Sequence, residues 1–187
     1  MEIPDSELMA KLAAGDDLAL NALMDRWASR VIAFLYRITG HRDTAGDLAQ
    51  ETFVKLYQAR ERYRPSGNFS TYLFAIAANL ARNHRRWQAR HPTISLDQSS
   101  ADDPSSLPEQ ADLHDDPRQA ALHREQMRTI AAAFQALPPD LREAMSLFID
   151  QGMSHAEIAS IAGCSAKAIE TRIYRARQLL KELLKDL

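Results

Sequence analysis

The chain has 187 residues, a net charge of −2 and 45% hydrophobic residues, a composition typical of a globular protein in water. No apolar run approaches the roughly 20 residues of a membrane-spanning helix, and the acidic start lacks the features of a secretory signal. With one cysteine and six scattered histidines, the sequence predicts neither an internal disulfide nor a zinc site. We therefore expect a cytoplasmic protein without membrane insertion and without a cofactor.

Charge is distributed unevenly along the chain. Seven acidic residues and no Lys or Arg lie between Asp97 and Pro117, and without those seven acids the net charge of the remainder is +5. Positive charge concentrates at 82–90 and 167–181. Such local clusters are the pattern expected of a protein that contacts nucleic-acid phosphates.

Helical periodicity dominates the first 92 residues, and no stretch alternates as a strand does. The pattern predicts helices over about 6–14, 16–39, 43–62 and 70–90. Gly40 ends the second helix, and turn-forming residues at 65–68 precede the fourth, with Ser70 as its N-cap. The third helix has an apolar face, and Asp47, Gln50 and Glu51 lie on its outward face.

The fourth helix has an apolar face that includes Trp87, which we interpret as a core residue, and a separate polar stripe. Basic groups, amides able to bond bases and nearby aromatic rings are what single-stranded DNA recognition requires. Phe69 is alternatively a core residue, and the turn before the helix is suited to hold an unstacked base. The stripe and its surroundings comprise Ser66, Asn68, Phe69, Ser70, Tyr72, Asn79, Arg82, Asn83, Arg86 and Arg90.

A segment rich in Ser, Asp and Pro follows, and it has too few large apolar residues to offset the entropy cost of ordering. We interpret 93–116 as a flexible acidic linker between two small helical domains, 1–92 and 117–187. Asp116 and Pro117 favour a helix start, as N-cap and first helical residue. Further helices are predicted over about 139–152, 154–162 and 165–185, the first with Leu141, Met145, Phe148 and Ile149 on one face.

The last two helices have the pattern of a helix-turn-helix. Ser154 and Glu157 fit a capping box, Gly163 suits a left-handed turn residue, and Ser165 is placed to cap the final helix. The outward face of that helix is suited to the major groove, because Lys and Arg neutralise phosphates or bind guanine and Thr bonds base edges. The alternative is an ordinary helical hairpin with a solvated basic face.

Four segments resemble one family in their order and separation. They are the segment Asp47-Leu-Ala-Gln-Glu-Thr-Phe53, the helix from Phe69 to Arg86, the segment from Leu137-Pro138-Pro139 to Arg142-Glu143, and the final helix-turn-helix ending at Arg177. Together they resemble the extracytoplasmic-function (ECF) sigma factors of the sigma-70 superfamily. The resemblance implies an all-α, non-enzymatic protein that binds core RNA polymerase and directs promoter-specific transcription initiation.

The resemblance also implies three functional surfaces. Binding to the polymerase beta-prime clamp is implied for Asp47, Leu48, Gln50, Glu51, Phe53 and Val54. Recognition and melting of the minus-10 element is implied for the stripe of the fourth helix and the turn before it. Recognition of the minus-35 duplex is implied for Ser165, Lys167, Glu170, Thr171, Arg172, Tyr174 and Arg175.

The expected partners are core RNA polymerase, through its beta-prime clamp and beta flap, promoter DNA and an anti-sigma factor. A competing hypothesis is a stand-alone helix-turn-helix regulator whose N-terminal domain mediates dimerisation. An enzyme is not expected, because no paired carboxylates converge with a histidine and no Gly-rich phosphate loop occurs.

Overall fold

The described part of the protein is entirely helical. The computed structural model describes residues 3–64, 67–91 and 117–185, and no strand occurs within them, which confirms the expected all-α class. The helices are α1 (Asp5–Ala13), α2 (Leu18–Thr39), α3 (Arg42–Gln58), α4 (Phe69–Arg90), α5 (Pro117–Ala136), α6 (Pro139–Asp150), α7 (His155–Ala162) and α8 (Ala166–Leu183), with a 3-10 turn at Arg60–Arg62. We call α1–α4 the N-terminal half and α5–α8 the C-terminal half.

The N-terminal half is built around α2, which packs against α1, α3 and α4. Its core contains aromatic rings in edge-to-face contact: Trp27 lies 5.9 Å from Phe69 and 6.2 Å from Phe74, and Phe34 lies 5.2 Å from Phe74. Aromatic pairs in this geometry stabilise a core beyond their buried area. α2 ends at Gly40, which has the left-handed φ of +77° that favours glycine.

The C-terminal half has a smaller core formed by one face of each helix. Leu137, Leu147, Ile158 and Ile169 are fully buried in it. α6 packs against α7 and α8, and α7 packs against α8. This arrangement holds α8 at the edge of the molecule, with a second face directed to solvent.

The two halves pack directly against each other, which the sequence did not predict. α2 contacts α6, α4 contacts α7, and buried apolar residues of both halves form one continuous cluster. At the end of α2, the Arg142 guanidinium donates to the carbonyl of Ile38 at 3.1 Å, and Gln135 Nε2 donates to the carbonyl of Arg37 at 3.0 Å. Arg37 also forms an ion pair with Asp150, with Nε 3.1 Å from Oδ2.

Three local predictions were wrong. α3 ends at Gln58, and the chain continues as a 3-10 turn rather than as the same helix to Arg62. Ser70 does not cap α4: the helix begins one residue earlier, and Asn68 occupies the N-cap position in an extended conformation without a side-chain cap bond. Ile149 is exposed, whereas Leu141 and Met145 of the same predicted face are buried, because the buried face of α6 runs through Leu141, Ala144, Met145 and Leu147. The expected linker, 93–116, lies outside the described residues, as does Ser66.

Candidate nucleic-acid interface

α7 and α8 form the helix-turn-helix predicted from the sequence. The backbone N–H of Ser154 donates to the Glu157 carboxylate at 2.9 Å, and the Glu157 N–H donates to Ser154 Oγ at 3.3 Å, so the capping box is complete. Gly163 has a φ of +66°, and Ser165 Oγ accepts from the N–H of Ala168 at 3.2 Å. The turn and both helix starts are therefore held by local hydrogen bonds.

The outer face of α8 is exposed to solvent. Tyr174 is 63% exposed, Lys167, Glu170, Thr171 and Arg175 are exposed, and Ile169 and Ile173 are buried on the opposite face. Ser165 and Arg172, which are also predicted contacts, have other partners within the protein. Ser165 Oγ serves as the N-cap, and Arg172 is half-buried with its Nε 3.4 Å from the Asp140 carboxylate.

Lys167 and Glu170 form a pair on this face. Lys167 Nζ lies 2.9 Å from Glu170 Oε2, and hydrogen bonding and the charge of Lys167 lower the pKa of the Glu170 carboxyl. A fixed negative charge next to the basic residues opposes phosphate binding and favours a hydrogen-bond donor at that position.

The polar stripe of α4 follows the outside of the helix. Asn79, Asn83, Arg86 and Arg90 are exposed. The amides are held by the neighbouring arginines: Arg86 Nη2 donates to Asn83 Oδ1 at 2.5 Å, and Arg82 Nη2 donates to Asn79 Oδ1 at 2.6 Å. The structure thus places these four side chains on one surface, as the helical spacing predicted.

Two aromatic predictions on α4 need correction. Phe69 is only 6% exposed because it packs against Trp27 and Tyr63, so its ring is not available to a base. Tyr72 is half-buried with its ring 5.1 Å from Tyr63, and burial raises the pKa of its hydroxyl. The start of α4 therefore offers polar groups rather than open ring faces.

Trp87 was expected in the core, and that interpretation was wrong. Its side chain is 50% exposed at the end of α4, and its ring stacks between His84 and His91, with centroids 6.4 Å and 5.1 Å away. The i, i+3 and i+7 spacing within one helix could have indicated this ladder of rings. The apolar pattern of α4 did not predict that Trp87 is exposed, because its exposure depends on where the neighbouring helices end.

Part of the α4 surface is in contact with the C-terminal half. Arg82 Nη1 lies 2.7 Å from Glu143 Oε1, and Arg82 Nη2 also donates to the carbonyl of Ile161 at 3.1 Å. Ahead of the helix, Asn68 Nδ2 donates to Glu157 Oε1 at 2.5 Å. None of these contacts has a local sequence signal, since the partners are separated by at least 61 residues.

The outward face of α3 forms a third polar surface. Asp47, Gln50 and Glu51 are exposed, together with the apolar side chain of Val54. The other two predicted members of this surface need correction, because Leu48 and Phe53 are buried in the core of the N-terminal half. They hold α3 in place and cannot touch a partner directly.

No metal-binding geometry occurs on these surfaces or elsewhere within residues 3–64, 67–91 and 117–185. No group of three His, Cys, Asp or Glu side chains in those ranges is arranged to hold a metal ion. Of the described helices, none combines the length and apolar character needed to cross a membrane.

Comparison with protein families identifies both halves. Residues 23–91 match the model for Sigma-70 region 2, and residues 127–180 match the model for Sigma-70, region 4. The chain belongs to the sigma-70 family. The region 2 match thus takes in the exposed faces of α3 and α4, and the region 4 match takes in α6, α7 and nearly all of α8.

Curated relatives place this sigma factor in the ECF group. It is 31% identical over 185 residues to the RNA polymerase sigma-H factor of Pseudomonas aeruginosa, covering 98% of this chain and 95% of the relative. It is 30% identical to the ECF RNA polymerase sigma-E factors of Haemophilus influenzae and Escherichia coli, covering all of this chain and 98% and 97% of theirs. It is thus an ECF sigma factor, which binds core RNA polymerase and directs promoter-specific initiation.

Solved structures agree with this assignment. The sigma factor matches CnrH, solved in complex with the cytosolic domain of CnrY, with a TM-score of 0.68 and 28% identity over 97% of both chains. It shares its fold with RpoE of Bartonella quintana, solved with the anti-sigma factor NepR, at a TM-score of 0.66 and 24% identity. The matches to both regions favour a sigma factor over the competing hypothesis of a stand-alone regulator.

Proposed function

We propose that this ECF sigma factor works through three separate surfaces: α3 binds the beta-prime clamp of core RNA polymerase, α4 binds the unpaired minus-10 strand, and α8 binds the minus-35 duplex. The observation that carries the proposal is the pair of exposed polar helix faces, on α4 and α8, within one chain. A DNA-binding protein with two such faces, each in a different half, is suited to contact two promoter elements.

The α8 assignment is supported by its helix-turn-helix geometry and its exposure. Tyr174, Thr171 and Arg175 lie together on an open face that follows a capped turn. A helix in the major groove contacts base edges with such side chains, and arginine binds guanine with two hydrogen bonds. Glu170 is suited to accept a hydrogen bond from cytosine.

The α4 assignment is supported by the combination of amides and guanidinium groups. Asn79 and Asn83 are able to bond unpaired base edges, and Arg82, Arg86 and Arg90 to follow the phosphate backbone. The buried Phe69 is not part of this surface. The half-exposed Trp87 lies at the end of the same helix, and its ring is stacked between His84 and His91.

The α3 assignment is supported by a mixed surface of acids, an amide and Val54, with the buried Leu48 and Phe53 beneath it. A partly apolar helix face that no described helix covers is suited to bind a helix of a protein partner.

We further propose that the C-terminal half contacts the beta flap, and that the chain acts in the cytoplasm, where polymerase and promoter DNA are found.

An anti-sigma factor is a further proposed partner. The related CnrH was solved with the cytosolic domain of CnrY. By analogy we propose a polypeptide inhibitor for this chain that occupies surfaces the polymerase needs.

Reconstituted transcription tests the proposal. Purified core polymerase and this protein are incubated with a genomic DNA library, and transcription start sites are mapped against a reaction without the protein. We expect a defined set of new starts that share two elements upstream. If the protein fails to bind core polymerase, or binds duplex operator DNA by itself without directing any start, the proposal is wrong and the stand-alone regulator is favoured.

A further inference from the structure

A cavity of about 210 Å³ lies where the end of α2, the middle of α4 and the start of α6 meet. Its polar lining consists mainly of basic and amide side chains, namely His41, His84, Arg85, Gln88 and Arg142, and no Asp or Glu of the described residues lines it. Charge of one sign within a concave site attracts ions of the other sign. The cavity is smaller than the roughly 300–1,000 Å³ of pockets for drug-sized ligands, so a fitting ligand is a small anion.

Arg142 contributes a charge to this cavity that no described carboxylate neutralises. Its Nη1 donates to the carbonyl of Ile38 at 3.1 Å and to Gln135 Oε1 at 2.6 Å, and its Nη2 donates to the carbonyl of Leu137 at 2.9 Å. All of these acceptors are neutral. Its Nε is buried and has no hydrogen-bond partner within residues 3–64, 67–91 and 117–185. Burial and the charge of Arg85 lower the pKa of the Arg142 guanidinium, as expected of a cation without a counter-ion.

The wall formed by α4 also lacks acceptors. His84 Nε2 is buried without a hydrogen-bond partner in the described part of the chain, while the ring stacks on Trp87 with centroids 6.4 Å apart. The next residue, Arg85, is exposed and forms no hydrogen bond or ion pair with any described residue. The charge of Arg85 acts on Glu143, but that carboxylate is already paired with Arg82 at 2.7 Å. Two nitrogens and one full charge on this wall are therefore available to a ligand.

The start of α6 adds to the positive potential of the cavity. α6 begins at Pro139, which lines the cavity, and its N-cap residue makes no side-chain hydrogen bond, so the positive end of the helix dipole is not capped. Asp140 of the same turn lies 3.4 Å from Arg172. Carbonyl groups at the end of α2 oppose an anion, but two of them already accept hydrogen bonds from Gln135 and Arg142. The balance at the cavity is therefore positive.

We propose that this cavity binds one small oxyanion of the phosphate type, held by Arg85, Arg142 and His84. Guanidinium groups suit this ligand because their planar donors form charge-assisted hydrogen bonds with oxyanions. The anion accounts for the two unpartnered buried nitrogens and for two positive charges close together. A water molecule could accept from the same donors, but it would leave both charges uncompensated. None of the residues assigned above to polymerase or DNA lines the cavity, so the site goes beyond the proposed function.

The first test is isothermal titration calorimetry of the full chain with inorganic phosphate in a chloride buffer. Arg85→Gln removes one charge from an exposed side chain, and His84→Phe keeps a ring against Trp87 while it removes both nitrogens. Arg62→Gln, at an exposed arginine of the 3-10 turn that does not line the cavity, is the control for charge. We expect one phosphate per chain, bound about tenfold more weakly by the two cavity variants and equally well by the control.

Weaker binding confined to Arg85→Gln and His84→Phe supports the proposal. Absence of saturable binding by the wild-type chain up to about 10 mM phosphate refutes it, and so does binding that all four proteins share equally, which indicates exposed cations elsewhere. Adenosine monophosphate carries the same phosphate group on a nucleoside. With the same dependence on the variants, tighter binding of the nucleotide identifies the ligand as a phosphate ester, and weaker binding identifies it as free phosphate.

A second test uses the wild-type chain and does not depend on the folding of a cavity variant. Nuclear magnetic resonance of the nitrogen-15-labelled protein follows the imidazole nitrogens, and the signal of His84 is identified by its absence from His84→Phe. At fixed pH we expect phosphate to shift this signal with the Kd that calorimetry gives, in the wild type and in Arg62→Gln alike. If phosphate binds and the His84 signal stays in place, the anion binds outside the cavity and the proposal is wrong.

Discussion

The polar faces of α4 and α8 are alike in composition and differ in accessibility. Both carry arginines and base-bonding groups along one side of an amphipathic helix, yet the face of α8 is open while Arg82 and Asn68 at α4 are held by Glu143 and Glu157. The difference indicates that a helical pattern can predict which face of a helix is suited to bind DNA, but not whether that face is accessible. Whether the free protein can use it depends on which parts of the chain pack on top of it.

The largest expected difference between the two faces is in stability. Arg82→Ala removes the principal partner of the buried Glu143 carboxylate and lowers the free energy of unfolding by about 3 kcal/mol. Arg175→Ala, the same change on the open face, alters stability by less than about 0.5 kcal/mol. Urea unfolding followed by circular dichroism measures both. Equal unfolding midpoints for the two variants would contradict the buried ion pair between Arg82 and Glu143.

The second expected difference is in duplex binding. Arg175→Ala weakens binding of the polymerase holoenzyme to the minus-35 duplex by about 1–3 kcal/mol if the guanidinium contacts a base. Electrophoretic mobility shifts with promoter fragments measure the loss. Lys11→Ala on α1, outside the proposed DNA-binding surfaces, removes one positive charge and serves as the control. An unchanged affinity for Arg175→Ala would remove this residue from the proposed minus-35 surface.

The smallest expected effect is a pH dependence that belongs mainly to the capping box of α7, with a smaller contribution from the contact with Asn68 and Thr71. Hydrogen bonds from Ser154, Asn68 and Thr71 lower the pKa of Glu157 to about 2, below the ordinary value of 4.5. A carboxyl with a lowered pKa stabilises the folded state above about pH 4.5, and this stabilisation is lost as the pH falls towards about 2. Denaturant unfolding between these values should show a shallower loss for Glu157→Gln than for wild type. Glu125→Gln is expected to follow wild type, and identical curves for all three proteins would refute the effect.

Much of the fold follows from local patterns. Helical spacing predicted α2, α4 and α8 with nearly their observed bounds, and the capping box at Ser154 and the cap at Ser165 were confirmed, because these features depend only on neighbouring residues. The errors were of a different kind. Trp87, which was expected in the core, is exposed, and Phe69, for which a core position was the alternative to base contact, is buried. A ring near the end of a helix is buried or exposed according to which other helix reaches it.

The sequence by itself determined the helices, their caps, the apolar and polar faces and the membership of the sigma-70 family, because all of these depend on residue spacing and motif order. Only the tertiary structure decided that region 4 lies against region 2, that Glu143 and Glu157 occupy donors of the α4 surface, and that Leu48 and Phe53 are buried below the α3 surface. The physical reason is distance along the chain. Contacts between residues 61 or more positions apart arise from the packing of whole helices, and no local pattern encodes which helix covers which face.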